Sequence, residues 1–179
     1  MSVGSRIQGC FIFVVGSIGA LVALVLLIWT LLPLMTFLPS AEEQEAAEQV
    51  RNAVRNGAEV FGELAEESSE GELAKSLARG ETGFTTTLVG KSIAEVDAMS
   101  FPSGDVEVYD IDADMLTITV IGLGYASGAG WISSSASAYG CAELTAKPGS
   151  NEVDVRNVEC EEPVLTGIGS HWGSAVSAT

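Results

Sequence analysis

From Ile7 to Ala41 the chain runs 35 residues without a charged side chain, and Cys10–Leu38 is almost wholly apolar. About 20 apolar residues already cross the ~30 Å hydrocarbon core of a bilayer. As a helix, Cys10–Leu38 would be about 43 Å long at 1.5 Å per residue, longer than the core requires. Pro33 and Pro39 each remove an amide donor and push the preceding residue out of helical geometry. Residues 9–38 are therefore expected to form a transmembrane helix, with Gly9–Leu32 buried and Leu34–Leu38 partly interfacial. Trp29 and Phe37 fall near that end, where aromatic rings favour the headgroup layer.

The flanks orient the span. Arg6 precedes it, whereas the first basic residue after it is Arg51. Positive charge stays inside, so residues 1–8 are expected in the cytoplasm and the rest of the chain outside. A cleaved secretory signal fits less well. Its apolar core is 7–15 residues long, and a cut after Ala41 would place Pro39 three positions before it. A lipoprotein cysteine follows the apolar core, but Cys10 precedes it. Gly16 and Ala20 form a small-xxx-small pair of the kind that lets membrane helices approach, though Gly/Ala-rich spans contain such pairs by chance.

Charge separates the two parts of the chain. Beyond the span stand all 24 acidic residues and seven of the eight basic ones, a formal charge of −17. A nucleic-acid binder needs the opposite sign, so that partner class is excluded. Anionic headgroups repel such a surface, so the domain is expected to stand off the bilayer. The partners expected are the lipid bilayer itself and an envelope protein reached through the acidic face.

Two cysteines remain outside, Cys141 and Cys160, and an isolated pair in an oxidising compartment reads as a disulfide. Lys147-Pro148-Gly149-Ser150 is a turn signal, with proline presetting φ and glycine supplying φ > 0. With Ala142–Ala146 and Glu152–Glu159 as hairpin arms, the cysteines fall equally far from the turn and face each other. Closing that loop should stabilise the domain by about 3 kcal/mol. A zinc site would need two further ligands, and the only histidine is His171.

The expected fold is α+β. An N-terminal transmembrane helix precedes an amphipathic helix packed on a small four- to five-stranded antiparallel sheet with one disulfide. Residues 40–80 form an acidic helical segment. Ser40 and Glu43 spell a capping box, and Ala47, Val50, Val54, Gly57, Phe61 and Leu64 repeat at spacings of three and four. Glu66–Gly71 breaks that helix, and Ser69 with Glu72 starts a shorter one that turns Leu73, Leu77 and Ala78 inward. Residues 81–163 form the extracytoplasmic β domain. Its candidate strands are Phe84–Val89, Asp105–Asp110, Met115–Leu123, Trp131–Ala146 and Val153–Cys160, with a helical turn near Ile93–Met99. Residues 164–179 are Gly/Ser-rich and read as a flexible tail.

No catalytic, cofactor-binding or metal-ligating set emerges. Asp110, Asp112 and Asp114 open like a calcium loop, but Met115 and Ile121 stand where glycine and glutamate are needed, so an acidic hairpin turn is expected. His171 has no second histidine, and Ser133, Ser134, Ser135 and Ser137 lie in no nucleophile elbow. Gly122-Leu123-Gly124 and Gly128-Ala129-Gly130 do not complete a dinucleotide fingerprint and read as turns or bulges in a twisted sheet.

In layout the chain resembles type IV pilin-like proteins. Gly9 before Cys10-Phe11-Ile12-Phe13 mimics a leader junction, and Cys141/Cys160 mimic a C-terminal disulfide loop. Val14 stands where pilins usually carry a glutamate, and two prolines and the Ser40 cap interrupt the N-terminal helix. The likeness is one of architecture rather than of specific motifs. It implies a structural filament subunit. The residues themselves favour a non-enzymatic binding or accessory component of the cell envelope, anchored by one span. An extracytoplasmic enzyme is the third expectation.

Overall fold

The computed structural model describes residues 24–27, 29, 40–85, 87–128, 134–168 and 172–179. The chain divides into two units, Met1–Pro39 and Ser40–Thr179. In the first, Leu24–Leu27 and Trp29 are helical and expose their apolar side chains, from 45 % for Val25 to 77 % for Trp29. Among the described residues no helix is long and apolar enough to cross a membrane. The expected span over 9–38 lies almost wholly outside them.

The second unit begins at Ser40, which is extended and closes a reciprocal cap. The Glu43 amide donates to Ser40 Oγ at 3.1 Å, and the Ser40 amide donates to Glu43 Oε2 at 2.7 Å. From this cap runs α1, Ala41–Glu66, followed by α2, Glu70–Ala78, and a short α3, Ile93–Asp97. Val50, Val54, Gly57 and Phe61 are buried along α1 as the spacing predicts, with Ala46 rather than Ala47 completing the stripe.

The strands are β1 (Val106–Asp112), β2 (Thr117–Ser127), β3 (Ser135–Ala146) and β4 (Val153–Val158), then α4 (Glu162–Ile168) and β5 (Ser174–Ala175). Strands β1 to β4 pair antiparallel in chain order. The sheet is nevertheless mixed, which corrects the antiparallel expectation: β5 returns and pairs parallel to β3 through Ala138↔Ser174 and Tyr139↔Ala175. The stretch read as a tail thus supplies α4 and β5. Among the described residues of Phe84–Val89 none lies in a strand, and Thr87 bridges to Val108. Tyr109 is the extra residue where the β1 register shifts, a bulge that bends this edge strand.

Side chains alternate across the sheet. On one face Val108, Ile118, Val120, Ala142 and Leu144 meet α1 together with Leu73 and Leu77 of α2. On the other, Ile121, Leu123 and Cys141 meet Leu88, Val96 of α3 and Ile168 of α4. A Cβ on Gly167 would lie 2.9 Å from Val96 Cγ1, so the two short helices touch closely. The sheet is therefore covered on both faces.

The glycines of β2 do not mark turns or bulges. The β2–β3 register runs unbroken from Thr117↔Thr145 to Ser127↔Ser135. Gly122 and Gly124 face α1, and a Cβ at Gly122 would approach the Val50 carbonyl oxygen to 3.1 Å. Glycine is needed here because a helix backbone lies against the strand.

Candidate functional site

Cys141 and Cys160 are joined, with their Cα atoms 5.3 Å apart. Their geometry departs from the expected facing pair. The ladder matches Cys141 to Val158 and Ala146 to Val153, so Cys160 lies two residues past the last β4 partner. The turn explains the shift. The Ser150 amide donates to the Lys147 carbonyl at 3.1 Å, with Pro148 and Gly149 (φ 72°) between them. This is a type II pattern, and the ladder it closes is centred between Gly149 and Ser150, one residue nearer the N-terminus than the midpoint of the cysteines. The Gly149 amide also donates to the Ala65 carbonyl at 2.9 Å, tying the hairpin to the end of α1.

Among the described residues, several cavities border the sheet. One, about 390 Å³, opens where α3, α4 and the ends of β2 and β3 meet. Phe101, Tyr125 and Trp172 line it, with Asp97, Ser103 and Ser137 among the polar lining residues. Tyr125 and Ser137 are cross-strand neighbours. The Ser103 hydroxyl donates to Gln49 Oε1 at 2.6 Å, and the Tyr125 amide donates to Ser103 Oγ at 2.8 Å and to Gln49 Oε1 at 3.0 Å. The Gly173 amide donates to Ser137 Oγ at 2.8 Å. These bonds brace the rim from α1 and from the chain before β5. An aromatic lining with a few fixed polar groups suits ligand recognition. Ser103 meets a carboxamide and a main-chain amide rather than a base, so its hydroxyl is held in place and not activated.

The second cavity, about 300 Å³, runs along the outer edge of β1. Asn56 and Val60 of α1, Phe84, Thr85, Asp105 and Glu107 line it. Glu107 is 4 % exposed, and its Oε2 is shut from solvent without a hydrogen-bond partner. Burial, with a smaller contribution from the Asp105 charge, pushes its carboxyl up to about 7. Burial likewise raises the Tyr109 phenol to about 12, helped by the charges of Glu161, Asp110 and Glu143.

The remaining candidates fall into ordinary roles or outside the described residues. Asp112 Oδ1 accepts from the Asp114 and Met115 amides at 3.1 and 3.0 Å, which makes the aspartate run a hairpin turn. Among the described residues no three His, Cys, Asp or Glu side chains gather to hold a metal. Ser134 donates to Glu42 Oε1 at 2.7 Å, and this bond is the main cause that lowers the Glu42 carboxyl below its ordinary value. His171 and Ser133 lie outside the described residues.

Neither cavity was legible in the sequence. Trp172 stood in a Gly/Ser-rich stretch, and Glu107 occupied the polar phase of an alternating strand. The only available signal was that Val106-Glu107-Val108-Tyr109 is too apolar for an edge with an open face. No protein-family model, curated protein or solved structure matches this chain.

Proposed function

We propose that this protein is a single-pass, membrane-anchored component of the cell envelope whose acidic domain binds a partner or ligand outside the membrane and is not an enzyme. The observation that carries this reading is the 35-residue uncharged run at Ile7–Ala41, followed by a domain closed by a disulfide. Bilayer and oxidising compartment are the two environments that favour these features. The exposed helical apolar residues Leu24–Leu27 and Trp29 are consistent with a lipid-facing segment. The aromatic cavity beside Tyr125 and the excess negative charge are the two surfaces suited to recognition.

The pilin-like alternative fits less well. Its apolar helix would continue into the helix on the sheet, whereas Ser40 is extended and starts α1 afresh.

Labelling intact cells with a membrane-impermeant maleimide–polyethylene glycol, with and without prior reduction, tests the topology. Two additions appearing only after reduction are expected. Labelling only after lysis would overturn the orientation. Loss of Met1–Gly9 by intact mass would favour the filament subunit instead.

A further inference from the structure

Among the described residues β4 pairs with β3 and with no other strand. Which of its main-chain groups face outward follows from the ladder. The Lys147 amide donates to the Glu152 carbonyl at 3.3 Å. The bonded pairs are therefore Lys147/Glu152, Thr145/Asp154 and Glu143/Arg156, and the alternate residues turn away from β3. Val153, Val155 and Asn157 thus point their amides and carbonyls out of the sheet, and no main-chain bond from another described segment reaches them. Asp154 and Arg156 project from the face opposite α1, because Val153 and Val155 pack toward the α1 core. Asp154 is exposed and makes no close ion pair among the described residues. Arg156 meets Glu143 through Nη2, at 2.9 Å from both carboxylate oxygens, and its side chain is 67 % exposed. Its other nitrogens are left as donors.

A charge on an edge strand deters pairing unless the incoming strand sets the opposite charge against it. This strand meets that condition for itself. Two copies of β4 laid antiparallel about Val155 bring Val155 against Val155, Val153 against Asn157, and Asp154 against Arg156 twice. The first two pairings match outward-facing groups, as a ladder requires. Shifting one copy by two residues keeps the bonding phase but sets Asp154 or Arg156 against its own copy across the axis. We propose that β4 is a dimerisation edge, through which two copies of this chain join their sheets by two-fold antiparallel pairing centred on Val155. The pairing is isologous and consumes both edges, so it closes at two copies. The net negative charge of each domain opposes it, as do Arg51 and Arg55, which line a cavity with Val155 on the α1 face. Physiological salt screens these longer-range terms, with a Debye length of about 8 Å. One short strand per copy makes a small seam, so the dimer is weak and reversible.

The test is sedimentation of the full chain in maltoside micelles at physiological ionic strength over a concentration series. A concentration-dependent monomer–dimer equilibrium is expected. Val155→Pro removes an outward amide and no bond to β3, and should abolish the dimer while the Cys141–Cys160 hairpin stays folded. Asp154→Arg alone and Arg156→Asp alone should each weaken the dimer about tenfold or more, because like charges then face each other twice. Mixed one to one, those two variants should associate again, since every facing pair is then opposite in sign. A dimer held by the apolar N-terminal segment would ignore all three substitutions. The proposal is overturned if the chain stays monomeric at every concentration, if Val155→Pro leaves the dimer intact, or if the mixture of charge variants forms no more dimer than either alone.

Discussion

Gly124 of β2 sits so close beneath Ala46 of α1 that a Cβ built on it would lie 2.0 Å from the Ala46 carbonyl oxygen. The neighbour is main chain and cannot swing aside. Gly122 is less tightly covered, since a Cβ built on it would lie 3.0 Å from Val54 Cγ2 and 3.1 Å from the Val50 carbonyl oxygen. The pair fixes the height at which α1 rides over the sheet.

Gly124→Ala should therefore cost about 3 kcal/mol or more, because relief requires the helix to lift off its core. Gly122→Ala should cost about 1 kcal/mol, since small shifts suffice. Guanidinium denaturation midpoints check the order. Equal losses at the two positions would mean that the helix seat is set elsewhere.

Reducing the Cys141–Cys160 bond should lower stability by about 3 kcal/mol, the entropy of a loop with a sequence separation of 19. The β3–β4 pairing itself should persist, because six residue pairs from Cys141↔Val158 to Ala146↔Val153 hold the ladder. Calorimetry with and without reductant measures the loss, and amide exchange at Leu144 and Val155 reports whether the hairpin survives.

Stability should fall as pH rises from the ordinary carboxylate value of 4.5 to about 7. Glu107 keeps its proton in the folded chain across that window and loses it in the unfolded one, so the unfolded state binds fewer protons. At 1.36 kcal/mol per unit, the loss is about 3 kcal/mol at most. Below 4.5 the slope reverses in sign. Hydrogen bonds from Arg79, Lys147 and Ser134 lower the carboxyls of Glu81, Glu152 and Glu42. What these exposed groups contribute is lost as acid protonates them. Glu107→Gln should flatten the upper window and leave the acid limb unchanged, as urea melts across pH would show.

Gly149 holds φ 72° at the third position of the β3–β4 turn, and its amide reaches the Ala65 carbonyl. Gly149→Ala should cost about 1–2 kcal/mol from the left-handed backbone alone. Thermal melts measure it. A neutral result would indicate that the turn relaxes into another type without loss of the α1 contact.

Local chemistry made much of the domain readable. Ser40-Ala41-Glu42-Glu43 is a cap whichever core it serves, and Lys147-Pro148-Gly149-Ser150 is a turn whatever strands it joins. Val50, Val54, Gly57 and Phe61 declare a face by spacing. What escaped depends on neighbours distant in the chain. Gly122 and Gly124 look like turn residues until a helix backbone is known to press on them. Glu107 looks solvated until α3 and α4 are known to cover the second face. The sheet's parallel strand escaped because Ser174–Ala175 pairs over only two residues, too few for any periodicity. The cavities share this origin, being assembled from loops and strand ends with no common motif.

The short return of β5 governs how the domain behaves when concentrated. Strand β4 protects β3 only from Cys141 to Ala146, and β5 takes over at Ala138 and Tyr139. The Val176 amide continues to the Tyr139 carbonyl at 2.8 Å, and the Ala178 amide to Asn157 Oδ1 at 2.7 Å. Without these residues half of a twelve-residue strand would present open amides and carbonyls along one side, an invitation to pair with a second molecule. The last eight residues thus act as a stopper against self-association. Trimming residues 172–179 would open that edge of β3 to pairing with a second molecule.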